Sequence, residues 1–238
     1  AMILPLFSMA AYLYFRTPDI KEILFGSVAN FDASGGFGPN QVATVLGLGV
    51  FVIVIFIITK EKLTGFLWLD SILIIYFTYR GLLTFSRGGM IAAGFALIVF
   101  FFFFIISHRE NSIKLIVKYF IISGFFIVGI WLYTSNATQG MLDNRYANKN
   151  AEGIQKKDVS SGRVAIFESQ ITHFMNNPVG IGVGNGKYKR ELKGDNITAA
   201  SHNEIGRMIE EHGLLGLFLL LMLLLLPLRN MWYANNYQ

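Results

Sequence analysis

Two arginines lie in sequence contexts that suit the binding of an anion. Arg87 belongs to Ser86-Arg87-Gly88-Gly89, directly before a long apolar run, and Arg163 follows Ser161-Gly162 where a helix is predicted to begin. Backbone N–H groups at a helix start attract anions, and a guanidinium binds phosphate oxygens in pairs. We therefore predict an anion-binding role for Arg87, whereas for Arg163 an ordinary surface position is the alternative.

A histidine at another predicted helix start could move a proton. Ser201 followed by Glu204 is a capping-box pattern, which predicts a helix from near His202 that runs unbroken into an apolar segment. In the first turn the helix dipole disfavours the imidazolium, so a neutral His202 could act as a base. His173 and His212 show no comparable context. Because no pair of histidines has zinc-like spacing, we predict no metal site.

Two charged residues are predicted within or beside apolar segments. Arg80 follows Tyr79, and either a contact with lipid headgroups or a binding role would explain it. Asp70 is predicted in the middle of a membrane span, where an acidic residue is a functional candidate. Pairing with an arginine or serine of a neighbouring helix is the alternative for Asp70.

The elements that position these residues are strongly apolar. The chain has 238 residues, of which 53% are hydrophobic and 15% charged, and it contains no cysteine. This pattern predicts an all-α, multi-pass transmembrane helical bundle forming a single membrane domain over 1–238. The apolar start lacks a basic leader, so we expect a fragment without its N-terminal spans. About six spans are predicted, at 2–15, 42–59, 63–79, 90–107, 115–133 and 214–228.

Basic residues between the spans predict the orientation. Clusters at Lys60, Arg109 and Arg229 fall on one side if the spans alternate, and the positive-inside rule makes that side cytoplasmic. Residues 135–212 then form a long external loop with helices of its own. One is an amphipathic helix over 162–175, capped by Ser160 or Ser161, and we expect its apolar face of Phe167, Ile171, Phe174 and Met175 to lie on the bilayer surface. The formal net charge of +5 is attributed to orientation and anionic partners, not to nucleic acid. The glycine-rich stretch 180–186 lacks Walker spacing, so no nucleotide is expected.

The motifs in this order resemble those of the O-antigen ligase and O-antigen polymerase superfamily of bacterial membrane enzymes. The resemblance covers about 36–228 and rests on five motifs: Gly38-Pro39-Asn40-Gln41, Ser86-Arg87-Gly88-Gly89, Ser161-Gly162-Arg163, Asn177-Pro178-Val179-Gly180-Ile181-Gly182-Val183-Gly184, and His202-Asn203 followed by Glu211, Gly213 and Gly216. Members of this superfamily move a glycan from undecaprenyl diphosphate to an acceptor hydroxyl at the outer face of the cytoplasmic membrane.

The resemblance implies roles for individual residues. Arg87 and Arg163 would engage the diphosphate, His202 would be the base, and Arg80, Asn203 and Glu211 would contact substrate. The expected partners are a lipid-linked glycan donor, a glycan or lipid-linked acceptor, and membrane lipids, with no metal or cofactor and with the active site facing the periplasm.

Several functions remain open at this point. The leading one is a ligase, and a polymerase that uses a second lipid-linked unit as acceptor is its nearest rival. A protein O-oligosaccharyltransferase is a third possibility. A transporter of lipid-linked sugars would place charged residues in several spans and would contain broken helices, whereas here only Asp70 is predicted inside a span.

Overall fold

A computed structural model describes residues 3–107, 112–158, 160, 162–192 and 203–236. Ser161, Ser201, His202 and Arg109, which carry some of the predictions above, lie outside these residues. Within the described ranges the chain forms α-helices, a short 3-10 helix at Asp32–Ser34 and one isolated bridge between Lys149 and Gln155. The α-helices are α1 (Ile3–Arg16), α2 (Pro39–Ile58), α3 (Leu67–Leu83), α4 (Arg87–Ser107), α5 (Ser112–Ala137), α6 (Met141–Tyr146), α7 (Arg163–Asn176), α8 (Asn185–Leu192) and α9 (Glu204–Asn236).

Each predicted span coincides over most of its length with a helix, although residues 63–66 of the third span form a loop before α3. By length and composition, three helices in the described part of the chain are able to cross a membrane, namely Pro39–Ile58, Arg87–Ile106 and Glu204–Asn230. The prediction of an all-α chain with membrane-spanning helices is thus confirmed in part: the described residues form no strand, and three of their helices are able to span. Spans at α1, α3 and α5, and the external position of 135–212, stay predictions.

The chain divides into two compact units, Ala1–Lys156 and Lys157–Gln238. In the first unit α2 packs against α1, α3 and α4. Its core joins side chains of the first three helices, including Leu13, Leu46 and Phe77, each almost fully buried. Burying each such side chain stabilises a helix contact by roughly 2 kcal/mol when the alternative is water.

Two glycines let α2 and α4 approach closely. A Cβ atom on Gly89 would lie 2.4 Å from the backbone carbon of Ala43, and one on Gly47 would lie 2.8 Å from the carbonyl oxygen of Gly89. Larger residues would push the helices apart. Gly89 of the Ser86-Arg87-Gly88-Gly89 motif therefore sets the helix packing, while Gly88 is exposed.

The structure corrects the predicted position of Asp70. It lies in the first turn of α3, not in the middle of a span. Its buried carboxylate accepts the backbone N–H groups of Leu63 and Thr64, each at 3.0 Å, and the Thr64 hydroxyl at 2.7 Å. The carboxylate accepts hydrogen bonds from the loop and interacts favourably with the positive end of the helix dipole. Asp70 therefore stabilises the turn between α2 and α3.

In the second unit α9 packs against α7 and α8, and it is broken at Gly213. Gly213 has φ 60° and ψ −137°, so the predicted unbroken helix is wrong. A Cβ on Gly216 would lie 2.1 Å from the carbonyl oxygen of Met208. Eight residues of straight helix would separate these positions by about 12 Å, so the two segments of α9 bend back towards each other.

A turn at residues 178–184, here called the glycine turn, completes the hydrogen bonding at this break. The carbonyls of Glu210 and Glu211 accept the N–H groups of Ile181 and Gly182 at 3.0 and 3.1 Å, and Leu214 N–H donates to the Pro178 carbonyl at 2.8 Å. In a continuous helix Glu210 O would accept Leu214 N–H instead. The turn thus replaces helical hydrogen bonds, because buried backbone groups need partners.

A buried ionic cluster joins the three helices of the second unit. Glu210 of α9 contacts His173 Nδ1 of α7 at 2.7 Å and Arg190 Nη1 of α8 at 3.2 Å. All three side chains are at most 4% exposed. Removing one member of such a buried group typically costs about 3–5 kcal/mol. His173, for which the sequence offered no context, therefore has a structural role.

Helix α7 buries Ile166, Gln170 and His173 within the protein. The predicted apolar face of Phe167, Ile171, Phe174 and Met175 is a different one, which is exposed at Phe167 and Met175, and its contact with the bilayer surface stays a prediction. Polar Gln170 belongs to the buried face because Gly206 of α9 leaves room for it. Gly206 is thus a point of close helix approach, as its small side chain predicts.

Candidate functional site

Three basic residues of the first unit converge at one end of α4. Arg87 is the first residue of α4, Arg145 lies in α6, and Lys156 follows the turn closed by the Lys149–Gln155 bridge. Arg145 Nη1 and Lys156 Nζ both donate to the carbonyl oxygen of Ser27, at 3.2 and 2.7 Å. We call Arg87, Arg145 and Lys156 the basic cluster.

Asn148 connects Arg87 with the rest of the basic cluster. Its side-chain oxygen accepts a hydrogen bond from Arg87 Nη1, and its carbonyl accepts the backbone N–H of Lys156 at 2.8 Å. Asn148 has φ 58°, a left-handed conformation that asparagine tolerates better than most residues. The turn after α6 is therefore shaped to hold the guanidinium of Arg87 near Lys156.

The electrostatics of the cluster reflect its shared positive charge. Partial burial lowers the pKa of Lys156, and the positive charges of Arg145 and Arg87 lower it further. Tyr146 lies in the same field: burial raises its pKa to about 12, although Arg87 and Arg145 oppose the rise. Positive charges gathered in this way favour an anionic ligand.

The short connection between α3 and α4 fixes the start of α4. Phe85 is fully buried with φ 56°, stacks on Phe25 at a ring distance of 5.3 Å, and offers its carbonyl to Arg145 Nε at 2.9 Å. Ser86 donates its hydroxyl to Asn40 of α2 at 2.6 Å. A non-glycine residue in this conformation is costly and often marks a functional site. The connection orients both Arg87 and Arg145.

Arg80, predicted to contact substrate, has protein partners. Its guanidinium is buried and donates to the Thr17 hydroxyl at 2.7 Å and to the Ala33 carbonyl at 3.2 Å. These bonds tie the segment between α1 and α2 to α3. They provide a structural reason for this arginine, and its role with substrate stays a prediction.

Arg163 begins α7 in the second unit and is exposed. The N-cap residue is Gly162 with φ 81°, and its N–H donates to the carboxylate of Asp158 at 2.5 Å. Ser160, one of the two predicted caps, accepts the Val164 N–H at 3.4 Å. An acidic side chain thus meets the backbone donors at this helix start, while Arg163 extends from it.

The helix that follows His202 starts later than predicted. Asn203 caps α9, since its side-chain oxygen accepts the N–H groups of Ile205 and Gly206 at 3.1 and 3.3 Å. The first helical residue is Glu204. His202 itself lies outside the described residues, so its role as a base stays a prediction.

Glu211 is held by the glycine turn. Its side chain accepts the Gly184 N–H at 3.0 Å, and a Cβ on Gly180 would lie 2.4 Å from its carbonyl oxygen. Glu211 is eight residues from Asn203, about 12 Å along a helix axis. The structure thus gives both predicted substrate contacts local structural partners, and it places them at different ends of one helical segment.

In the described ranges, no group of three or more histidine, aspartate or glutamate side chains is arranged to hold a metal ion. The charged groups that do converge there are the basic cluster in one unit and the buried cluster of Glu210 in the other. The first suits an anion, and the second stabilises the fold.

Comparison with known proteins identifies the family. The family model described as O-Antigen ligase matches residues 72–221, more than half of the chain. The chain belongs to the O-antigen ligase family. No curated protein and no solved structure matches this O-antigen ligase family member. The resemblance read from the motifs is thereby confirmed, and activity of the ligase or polymerase type in a membrane is the function that the family indicates.

Within this O-antigen ligase family member, sequence reasoning missed Arg145 and Lys156. Neither lies in a glycine-rich or capping motif, and both contact Ser27, more than a hundred positions earlier in the chain. The one local feature that they share is that they flank the turn closed by Lys149 and Gln155.

Proposed function

We propose that this protein transfers a glycan from undecaprenyl diphosphate to an acceptor hydroxyl at the outer face of the bacterial cytoplasmic membrane. The observation that carries the proposal is the position of Arg87 in a basic cluster at the first residue of an apolar helix long enough to cross a membrane. A diphosphate at the membrane surface, with its polyprenyl chain in the lipid, matches that arrangement in charge and in location.

The proposed reaction is a direct displacement. The acceptor hydroxyl oxygen attacks the anomeric carbon, the bond between that carbon and the diphosphate oxygen breaks, and His202 takes the hydroxyl proton. Undecaprenyl diphosphate leaves with the bonding electron pair, and Arg87 and Arg163 stabilise its charge. The donor carries its own activated bond, so the reaction needs neither a nucleotide nor a metal. One displacement inverts the anomeric configuration.

The acceptor decides between a ligase and a polymerase. A ligase joins the glycan to a different molecule, such as the oligosaccharide core of lipopolysaccharide, whereas a polymerase joins it to a second lipid-linked repeat unit. We favour the ligase, following the description of the family. Asn203 and Glu211 are the proposed contacts to substrate, alongside their hydrogen bonds within the protein.

The test is a transfer assay on the full-length protein in lipid nanodiscs. Undecaprenyl-diphosphate-linked glycan is offered with core oligosaccharide, or with a second lipid-linked unit, and products are resolved by mass spectrometry. We expect transfer to the core acceptor. His202→Ala should lower the rate by about 10²–10⁴ while donor binding stays unchanged.

A matched control is His212→Ala, which removes a half-buried imidazole from α9. It should retain most of the activity. Absence of transfer to any acceptor would refute the proposed reaction, and an equal loss in both histidine variants would refute the specific role of His202.

A further inference from the structure

We propose that Arg145 and Lys156 are diphosphate-binding residues that act together with Arg87, and that the hydroxyl of Tyr146 donates to the same ligand. This inference rests on the proposed function and deepens it. It assigns the site to four side chains of the first unit, three of which no motif indicated. The ligand class is a diphosphate ester, not a monophosphate.

The geometry brings the cationic groups within reach of one small anion. Arg145 Nη1 and Lys156 Nζ share the Ser27 carbonyl, so these two nitrogens lie within about 6 Å of each other. Arg87 is bound to the side chain of Asn148, whose own carbonyl holds the backbone of Lys156. A diphosphate group spans a comparable distance between its terminal oxygens.

The charge balance favours an anion at this place. Lys156 donates to a neutral carbonyl, and in the described part of the chain no carboxylate lies within salt-bridge distance of its ammonium group. Two guanidinium groups act on the same ammonium and lower its pKa. Holding like charges together costs free energy that a bound anion would return.

Tyr146 supplies an independent observation. Its hydroxyl is buried and has no hydrogen-bond partner among the described residues, although its ring packs edge-on against Trp131 at 4.7 Å. The charges of Arg87 and Arg145 reach this hydroxyl. A buried hydroxyl without a partner is costly, and an anion bound between the arginines would accept a hydrogen bond from it.

The alternative is that the basic cluster only fastens the loop at Ser27 to α6. In that case removal of Lys156 would lower stability and leave ligand preference unchanged. The two explanations differ in discrimination between diphosphate and monophosphate, since a diphosphate carries more charge and more acceptor oxygens for the same lipid chain.

The experiment measures binding by the full-length protein in nanodiscs, with no acceptor present. Undecaprenyl diphosphate and undecaprenyl monophosphate are the probes, and inorganic pyrophosphate is the competitor. Lys156→Gln and Arg145→Gln should each weaken diphosphate binding about tenfold or more, and Tyr146→Phe several-fold, with a smaller effect on the monophosphate. Lys157→Gln, the same change at the exposed neighbouring residue, should bind as the wild type does.

Lys156→Arg keeps the positive charge and should retain the preference for diphosphate. This variant keeps the test informative even if Arg145→Gln does not fold. Pyrophosphate should compete for binding, and replacing anionic lipids of the nanodisc with neutral ones should leave binding intact, which separates a diphosphate site from a headgroup site. Wild-type discrimination in Lys156→Gln would overturn the inference. If Arg87→Gln lost diphosphate binding while the Arg145 and Lys156 variants kept it, the inference would be overturned and the proposed function would stand. If the variants change diphosphate binding as expected but the wild type transfers glycan to no acceptor, only the proposed function is refuted.

Discussion

At the scale of single residues, arginines in this chain have two different environments. Arg190 is buried against Glu210, and Arg80 is buried against a hydroxyl and carbonyl groups, so both hold neighbouring segments in place. Arg87 and Arg163 instead begin helices, where backbone N–H groups point outwards. Arg87 is half-buried and Arg163 is exposed.

We predict that Arg87→Lys and Arg163→Lys each lose most of the transfer activity. A lysine keeps the charge but cannot bind two phosphate oxygens with a planar fork. Loss of one such contact in the transition state should cost about 2–4 kcal/mol. The measurement is the rate of glycan transfer at saturating donor, with folding verified by size-exclusion chromatography.

Arg229→Lys, the same change at an exposed residue of α9, should have no effect on the rate. Near wild-type turnover in the Arg87 and Arg163 variants would make these residues ordinary surface or headgroup contacts.

Local sequence predicted that Arg87 begins a helix, but it did not predict the partners of Arg80. Arg87 belongs to a motif with two glycines, and one of them, Gly89, allows the close packing of α4 on α2. The partners of Arg80 are Thr17 and Ala33, at sequence separations of 63 and 47 residues. No periodicity or spacing near Arg80 encodes these contacts, because they depend on how α1 and α3 pack.

At the scale of elements, the helices followed from composition, whereas the break in α9 did not. Apolar runs predicted the long helices, since a chain in lipid must satisfy its backbone within the helix. The break at Gly213 contains no proline, so the local sequence carries no strong helix-breaking signal there. The cause of the break is the glycine turn, which lies about thirty residues earlier and supplies the replacement hydrogen bonds to Glu210 and Glu211.

We predict that Gly213→Ala destabilises the second unit. An alanine at φ 60° and ψ −137° is strained, and its Cβ would lie 2.1 Å from the Pro178 carbonyl oxygen. The backbone strain alone should cost about 1–3 kcal/mol. A lower apparent melting temperature in detergent, together with faster proteolysis of the segment after Lys157, is the expected result.

Gly94→Ala in α4 is the matched control, since no atom lies within 4 Å of the added methyl group. It should melt like the wild type. Equal melting temperatures for the two variants would show that the turn and α9 accommodate the side chain, and that the break does not depend on glycine.

At the scale of the whole molecule, the proposed chemistry requires the basic cluster and α7 to lie on the same side of the membrane. They belong to different units, so the requirement concerns the path of the chain across the bilayer. The positive-inside rule predicts that path from Lys60, Arg109 and Arg229, and puts residues 135–212 outside the cytoplasm.

We predict that cysteines introduced at Ala151 and Lys187 react with a membrane-impermeant maleimide in intact spheroplasts, whereas one at Glu61 does not. All three residues are exposed, so accessibility within the protein does not limit labelling, and the chain has no cysteine of its own. Ala151 reports on the turn that carries the basic cluster, Lys187 on α8 in the second unit, and Glu61 on the connection between α2 and α3. After permeabilisation all three cysteines should label equally, which controls for reactivity.

Labelling of the cysteine at position 61 alone in intact spheroplasts would place the basic cluster in the cytoplasm and contradict transfer at the outer face. Labelling at position 151 without labelling at position 187 would put the basic cluster and α8 on opposite sides of the membrane, and would contradict the proposal that Arg87 and Arg163 bind one diphosphate.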